Sequence, residues 1–189
     1  MDTRELAVSA DPWPHAEIAG FLPAEMARDI ADRWPKDGYR WLMHSDIRKP
    51  DGSSLRKYQP LERRFPEVAS LLKSAVIEAA FKSLLGVFQD VYPQALLVED
   101  LPGYRIRRHT DCAGKVISTQ VYLPDGSGLE SQGVTLQTLY GDKVKQIPYR
   151  FNHGYAFKVT DHSWHRVFPS AFPRRSVQLI YYSTPDPKF

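Results

Sequence analysis

The sequence predicts an α+β domain that is mostly β: a double-stranded β-helix, or jelly roll, with N-terminal helices packed on one outer face. Helical periodicity is confined to the first half of the chain and ends near Pro93. Beyond it lie seven short apolar and β-branched runs, ALLVED, YRIRRHTD, KVISTQVYLP, GVTLQTLY, YAFKVT, HRVF and SVQLIYY, with DGSG and FNHG as turns. The length of 189 residues and the 42% hydrophobic content suit one domain with a sizeable core. The expected organisation is a single domain over residues 1–189, with an arm, helices and a long connection in 1–93 and the jelly-roll core in 94–189.

Residues 1 to about 20 carry no periodic pattern and read as an arm leading to Phe21 and Leu22. Pro23 suits the first turn of a helix, and Met26, Ile30 and Trp34 recur at helical spacing until Pro35 stops the run. Residues 36–61, rich in Pro, Gly and charge, read either as a lid or as an ordinary surface connection. From Pro66, Val68, Leu71, Leu72, Ala75, Val76 and Ala79 share one face of an amphipathic helix that Gly86 breaks or bends.

Composition excludes several classes. The single Cys112 rules out an internal disulfide and fits a reducing compartment. No apolar run is long enough to span a membrane, and MDTRELAVSADPWP is too acidic and polar for a signal peptide, so a cytoplasmic protein is expected. A formal charge of +3 gives no strong nucleic-acid signal.

The chemistry concentrates in PGYRIRRHTDCAGKVISTQVYLP, residues 102–124. If Tyr104 to Asp111 is a strand, His109 and Asp111 point to one face and can chelate one ion together. With six His in the chain, a His-x-Asp triplet arises by chance about 0.4 times, so it needs support from elsewhere. That support is DHSWHRVFPSAFPRRSVQLIYYS, where His165 supplies a second imidazole and paired arginines open an apolar strand. Two His and one carboxylate form a facial triad that holds Fe(II) and leaves the opposite positions open. An arginine nine or ten residues later offers a planar fork for a cosubstrate carboxylate.

At these residues, from about Leu96 to Ser183, the chain resembles the Fe(II)- and 2-oxoglutarate-dependent dioxygenases, in particular the prolyl-hydroxylase-like and small bacterial members. The resemblance implies a cupin-like jelly-roll core with His109, Asp111 and His165 as both catalytic residues and iron ligands. It implies 2-oxoglutarate and O2 as cosubstrates, and hydroxylation or other oxidation of an unactivated C–H bond with release of succinate and CO2. VYLP puts Tyr122 where the family has a tyrosine that helps hold 2-oxoglutarate, with Ser118 and Gln120 on the same face. The family's Arg-x-Ser pattern selects Arg174 with Ser176. Arg175 is the alternative, and the opposite parity would turn Val177, Leu179 and Tyr181 inward. A carboxylate at Asp111 argues against the related halogenases, which carry a small residue there.

Other readings stay beside this one. His162 is the rival to His165 but has the opposite parity and reads as a mouth residue, His153 as structural, and Cys112 as a buried non-ligand thiol. Trp164 reads as packing behind His165. Arg105 and Arg107 alternate with His109 and face either the site or solvent. The expected partner is a small-molecule or peptidyl substrate; Arg40, Arg48, Lys49, Arg105 and Arg107 would suit an anionic group. A cupin-like isomerase, a non-catalytic binding jelly roll and an interaction domain are the competing functions.

Overall fold

A computed structural model describes residues 7–36, 42–43, 55–126 and 132–185. Strands β1 (Ala7–Ser9), β2 (His15–Ala19), β3 (Leu42–Met43) and β4 (Arg56–Pro60) interleave with helices α1 (Ala24–Asp32), α2 (Pro66–Leu72) and α3 (Ala75–Leu85). There follow β5 (Tyr92–Asp100), β6 (Ile106–His109), β7 (Lys115–Tyr122), β8 (Gln132–Gln137), β9 (Val144–Pro148), β10 (His153–Lys158), β11 (His165–Val167) and β12 (Arg174–Tyr182). Two antiparallel sheets result: eight strands in the order β1-β2-β10-β7-β12-β5-β4-β3, and four in the order β6-β11-β8-β9. This is the jelly roll with helices on one outer face that the sequence predicts.

Strand β12 shows how alternation builds the layers. It pairs with β5 on one side and β7 on the other, so its backbone groups are satisfied on both edges. Val177, Leu179 and Tyr181 point to the helix side, where they join Ile30, Leu72 and Phe81 in one core. Gln178, Ile180 and Tyr182 point the other way, into the space between the sheets. A smaller core of Trp13, Val134, Leu136, Ile147, Tyr149 and Phe157 closes the rest of that space.

The helical segment differs from its expected form. α2 and α3 are separate helices, because the side chain of Ser74 accepts from the Ile77 amide and starts a new helix. The restart rotates the buried face: Ile77 and Phe81 are buried, whereas Ala75, Val76 and Ala79 are exposed. Gly86, left-handed at φ 63°, ends α3.

The N-terminal segment is not a loose arm. β2 pairs with β10 and β1 with β2, extending the large sheet. Asn152, in a left-handed turn at φ 54°, accepts from the Leu22 amide and donates to the Leu22 carbonyl, fixing the entry to α1. Trp13 donates through Nε1 to the Gln137 carbonyl at 3.0 Å, tying this segment to the small sheet. Residues 36–61 are likewise not all connection, since β4 pairs with β5 over its whole length. Arg40, Arg48 and Lys49 lie outside the described residues. The hairpin strand β9 was not expected; its run VKQIP is too short and polar to stand out.

Candidate metal centre and cosubstrate pocket

The ends of β6 and β11 bring two imidazoles together. His109 and His165 are direct cross-strand partners, with ring centroids 4.3 Å apart. The expected strand to Asp111 stops at His109, and Asp111 lies in the connection to β7. Its carboxylate nevertheless returns to the histidines: ligand atoms of His109, Asp111 and His165 all lie within 4.8 Å of one another.

The surrounding bonds leave this trio with unspent lone pairs. His109 Nδ1–H donates to the Arg107 carbonyl and His165 Nδ1–H to the Ser163 carbonyl, both at 2.9 Å. A carbonyl can only accept, so each ring carries its proton on Nδ1 and presents Nε2 as a ligand. Lys115 Nζ donates to Asp111 Oδ1 at 2.6 Å, while the buried Oδ2 has no hydrogen-bond partner. Burial opposes ionisation of Asp111, but the facing charges, the Lys115 ammonium first, outweigh it and hold the carboxyl below its usual range. Burial lowers the His165 pKa, which favours the neutral imidazole a metal requires. Two imidazoles with Nε2 unbonded and an orphaned carboxylate oxygen are a donor set that fits a divalent borderline metal such as Fe(II).

The trio lies in a cavity of about 780 Å³ between the sheets, with Gln94, Ser118, Gln178 and Tyr182 also on its wall. A second, much smaller void of about 10 Å³ is bounded by Arg56, Asp100, Gln120, Tyr122, Gly133 and Arg174, and shares Arg56 and Gln120 with the large one. Arg174 is 4% exposed; it donates to the Tyr104 carbonyl at 3.2 Å and stands 4.0 Å from Asp100. Arg175 has the opposite parity and pairs with Glu99 and Asp125, at 3.3 and 2.9 Å. Gln120 is locked, donating to Ser176 Oγ at 2.7 Å and accepting from the Tyr155 hydroxyl at 2.8 Å. The Tyr122 hydroxyl accepts from the Val134 amide at 2.8 Å, and burial pushes its pKa up, so it stays a neutral O–H.

The remaining sequence candidates fall elsewhere. His162 is 84% exposed beside Asp161, and His153 bonds Glu17 at 2.9 Å. Trp164 is half-buried, with Arg108 over its ring. Cys112 is exposed on the cavity wall rather than buried, because the strand ends before it and parity no longer governs its direction. Sequence reasoning missed Arg56, whose guanidinium grips both oxygens of Asp100 at 2.6 and 3.0 Å and stacks 4.3 Å over Tyr104. Burial works against its charge, but Asp100 more than compensates.

Fold and site together define a double-stranded β-helix with a two-His, one-carboxylate cluster between its sheets. No protein-family model and no curated protein matches the chain. Among solved structures it is similar to a prolyl-4-hydroxylase from Pseudomonas putida, at 18% identity and TM-score 0.70, over 90% of this chain and 92% of that one. It is similar to a 2OG-Fe(II) oxygenase family oxidoreductase from Burkholderia pseudomallei, at 14% identity and TM-score 0.65, over 90% and 86%. A non-heme, alpha-ketoglutarate-dependent epimerase of nogalamycin biosynthesis aligns at 15% identity and TM-score 0.64, over 89% and 78%. The fold is the one that these 2-oxoglutarate and iron oxygenases share. No described helix is long and apolar enough to cross a membrane.

Proposed function

We propose that the protein is an Fe(II)- and 2-oxoglutarate-dependent dioxygenase that hydroxylates, or otherwise oxidises, an unactivated C–H bond of an organic substrate, releasing succinate and CO2. The observation that carries this reading is the cluster of His109, Asp111 and His165, whose ligand atoms lie within 4.8 Å of one another, with Nε2 left unbonded on each ring and Asp111 Oδ2 unpartnered. With O2 and 2-oxoglutarate, bound iron would supply the oxidising chemistry. The protein's own groups bind and orient. Arg174, with Arg56 beside it on Asp100, offers a cation to the far carboxylate of 2-oxoglutarate, and the Tyr122 hydroxyl can donate its proton to the same group. Gln120, held by Ser176 and Tyr155, and Ser118 line the path between that end and the metal. A cytoplasmic location and a small-molecule or peptidyl substrate complete the proposal.

The test is anaerobic titration of Fe(II) and 2-oxoglutarate into metal-free protein, followed by measurement of succinate on admitting oxygen. A visible metal-to-ligand charge-transfer band and iron-dependent succinate are expected. Metal binding with neither result would favour a cupin-like isomerase or binding module instead.

A further inference from the structure

The cavity wall carries an asymmetry of charge. Arg105 and Arg107 lie four and two residues before His109, and both are exposed residues that line the cavity. Arg108, of the opposite parity, turns outward to the Leu139 carbonyl and the Trp164 ring. Cations around the site are matched: Arg56 to Asp100, Lys115 to Asp111, Arg175 to Glu99 and Asp125. Arg105 and Arg107 have no carboxylate, carbonyl or ring partner among the described residues. Asp111 is the sole carboxylate among the residues lining the large cavity, and it is directed at the metal point and Lys115.

We infer that these two arginines select the substrate: a small organic molecule bearing a carboxylate or phosphate, docked on Arg105 and Arg107 with its oxidised carbon near the metal point. This rests on the dioxygenase reading above and names its substrate class. Strand geometry sets the reach. β6 begins at Ile106, so Arg107 lies two strand positions, about 7 Å, before His109 and Arg105 lies just beyond the strand's start; the anionic group and the reacting carbon are thus separated by several bonds. The cavity volume of about 780 Å³ falls in the range of small-molecule sites, with room for a cosubstrate and a compact second ligand. Paired guanidiniums match carboxylate and phosphate geometry better than ammonium groups do.

The experiment uses the full chain loaded with Fe(II) and 2-oxoglutarate, and a panel of three- to six-carbon phosphates and carboxylates, each beside its neutral alcohol or amide counterpart. Stimulated succinate release is the readout. At least one anionic member should stimulate release while its neutral counterpart does not. The Arg105→Gln/Arg107→Gln double variant should raise the KM for that member by roughly 10- to 100-fold, the loss of charge-assisted hydrogen bonds. Arg108→Gln should leave the preference unchanged, and Arg107→Gln alone should weaken it if the double variant does not fold. Neutral counterparts acting equally well, a preference that survives both cavity variants, or stimulation by no anionic member overturns the inference. Wild-type protein without the charge-transfer band refutes the dioxygenase reading; a wild type with the band but no anion preference refutes this assignment alone.

Discussion

Replacing Arg174 by Met tests the cosubstrate pocket most sharply. Arg174 is almost fully buried and stands beside Tyr122 and Asp100 behind the wall of the large cavity, so a 2-oxoglutarate carboxylate that reaches this end would lose one of its two desolvated cations. Breaking a buried ion pair costs about 3–5 kcal/mol. Arg56 lies on the same Asp100 carboxylate and would supply part of the lost field, which sets the expectation at the lower end, about 3 kcal/mol or roughly 150-fold in the 2-oxoglutarate Kd. Arg175→Met is the control, because its guanidinium lies on the other face with Glu99 and Asp125. It should cost no more than about 1 kcal/mol of stability and leave cosubstrate affinity within a few-fold. Titration of the anaerobic charge-transfer band measures both, with denaturant unfolding to separate binding from stability. A folded Arg174→Met variant that binds 2-oxoglutarate as wild type does would refute the reasoning, as would a larger loss from Arg175→Met.

Alanine at His109, Asp111 or His165 should each abolish Fe(II) binding measured by anaerobic equilibrium dialysis, whereas His162→Ala, at an 84% exposed position, should retain it. In the metal-free protein, acid should erode stability below about pH 6.5. Burial lowers the pKa of His15, so the unfolded chain takes up the proton first and stability, complete above 6.5, falls as pH drops towards the folded value. Urea unfolding at pH 7.5 and 5.5 should show a smaller difference for His15→Phe than for wild type. Gly154→Ala should cost about 3 kcal/mol or more, because a Cβ there would lie 2.2 Å from the Gln120 carbonyl oxygen; a fall in Tm of ~6–12 °C by calorimetry is the expected result.

Local periodicity accounts for what the chain discloses in advance. The strand runs after Pro93 alternate cleanly, so parity puts Arg174 and Arg175 on opposite faces, but only the packed structure shows that Val177, Leu179 and Tyr181, and with them Arg175, take the helix side. His109 and Asp111 come together for a different reason than expected, since the strand ends between them and the turn to β7 brings the carboxylate back. Long-range pairing explains what the sequence hides. RKYQP in β4 looks like surface chain, and only its register against β5 places Arg56 opposite Asp100, 44 residues away. Ser74 likewise resets the helical phase through a single cap that apolar spacing does not register. β1 and β2 stay hidden because they are too short to show alternation; β2 owes its form to β10, and β1 to β2.

The small sheet ends at β6, whose one strand neighbour among the described residues is β11. In an outermost strand of only four residues, amide protons would exchange readily. Yet this strand carries His109, across from His165 on β11, as well as Arg107, with Arg105 just before its start. An ion shared by the two histidines would therefore act as a rivet across this edge seam. Loading would then slow exchange along 106–109 more than in the central strands of the large sheet. Ordering the seam would also preassemble the arginine pair, so that occupancy at the metal point and affinity at the rim would rise and fall together by thermodynamic linkage.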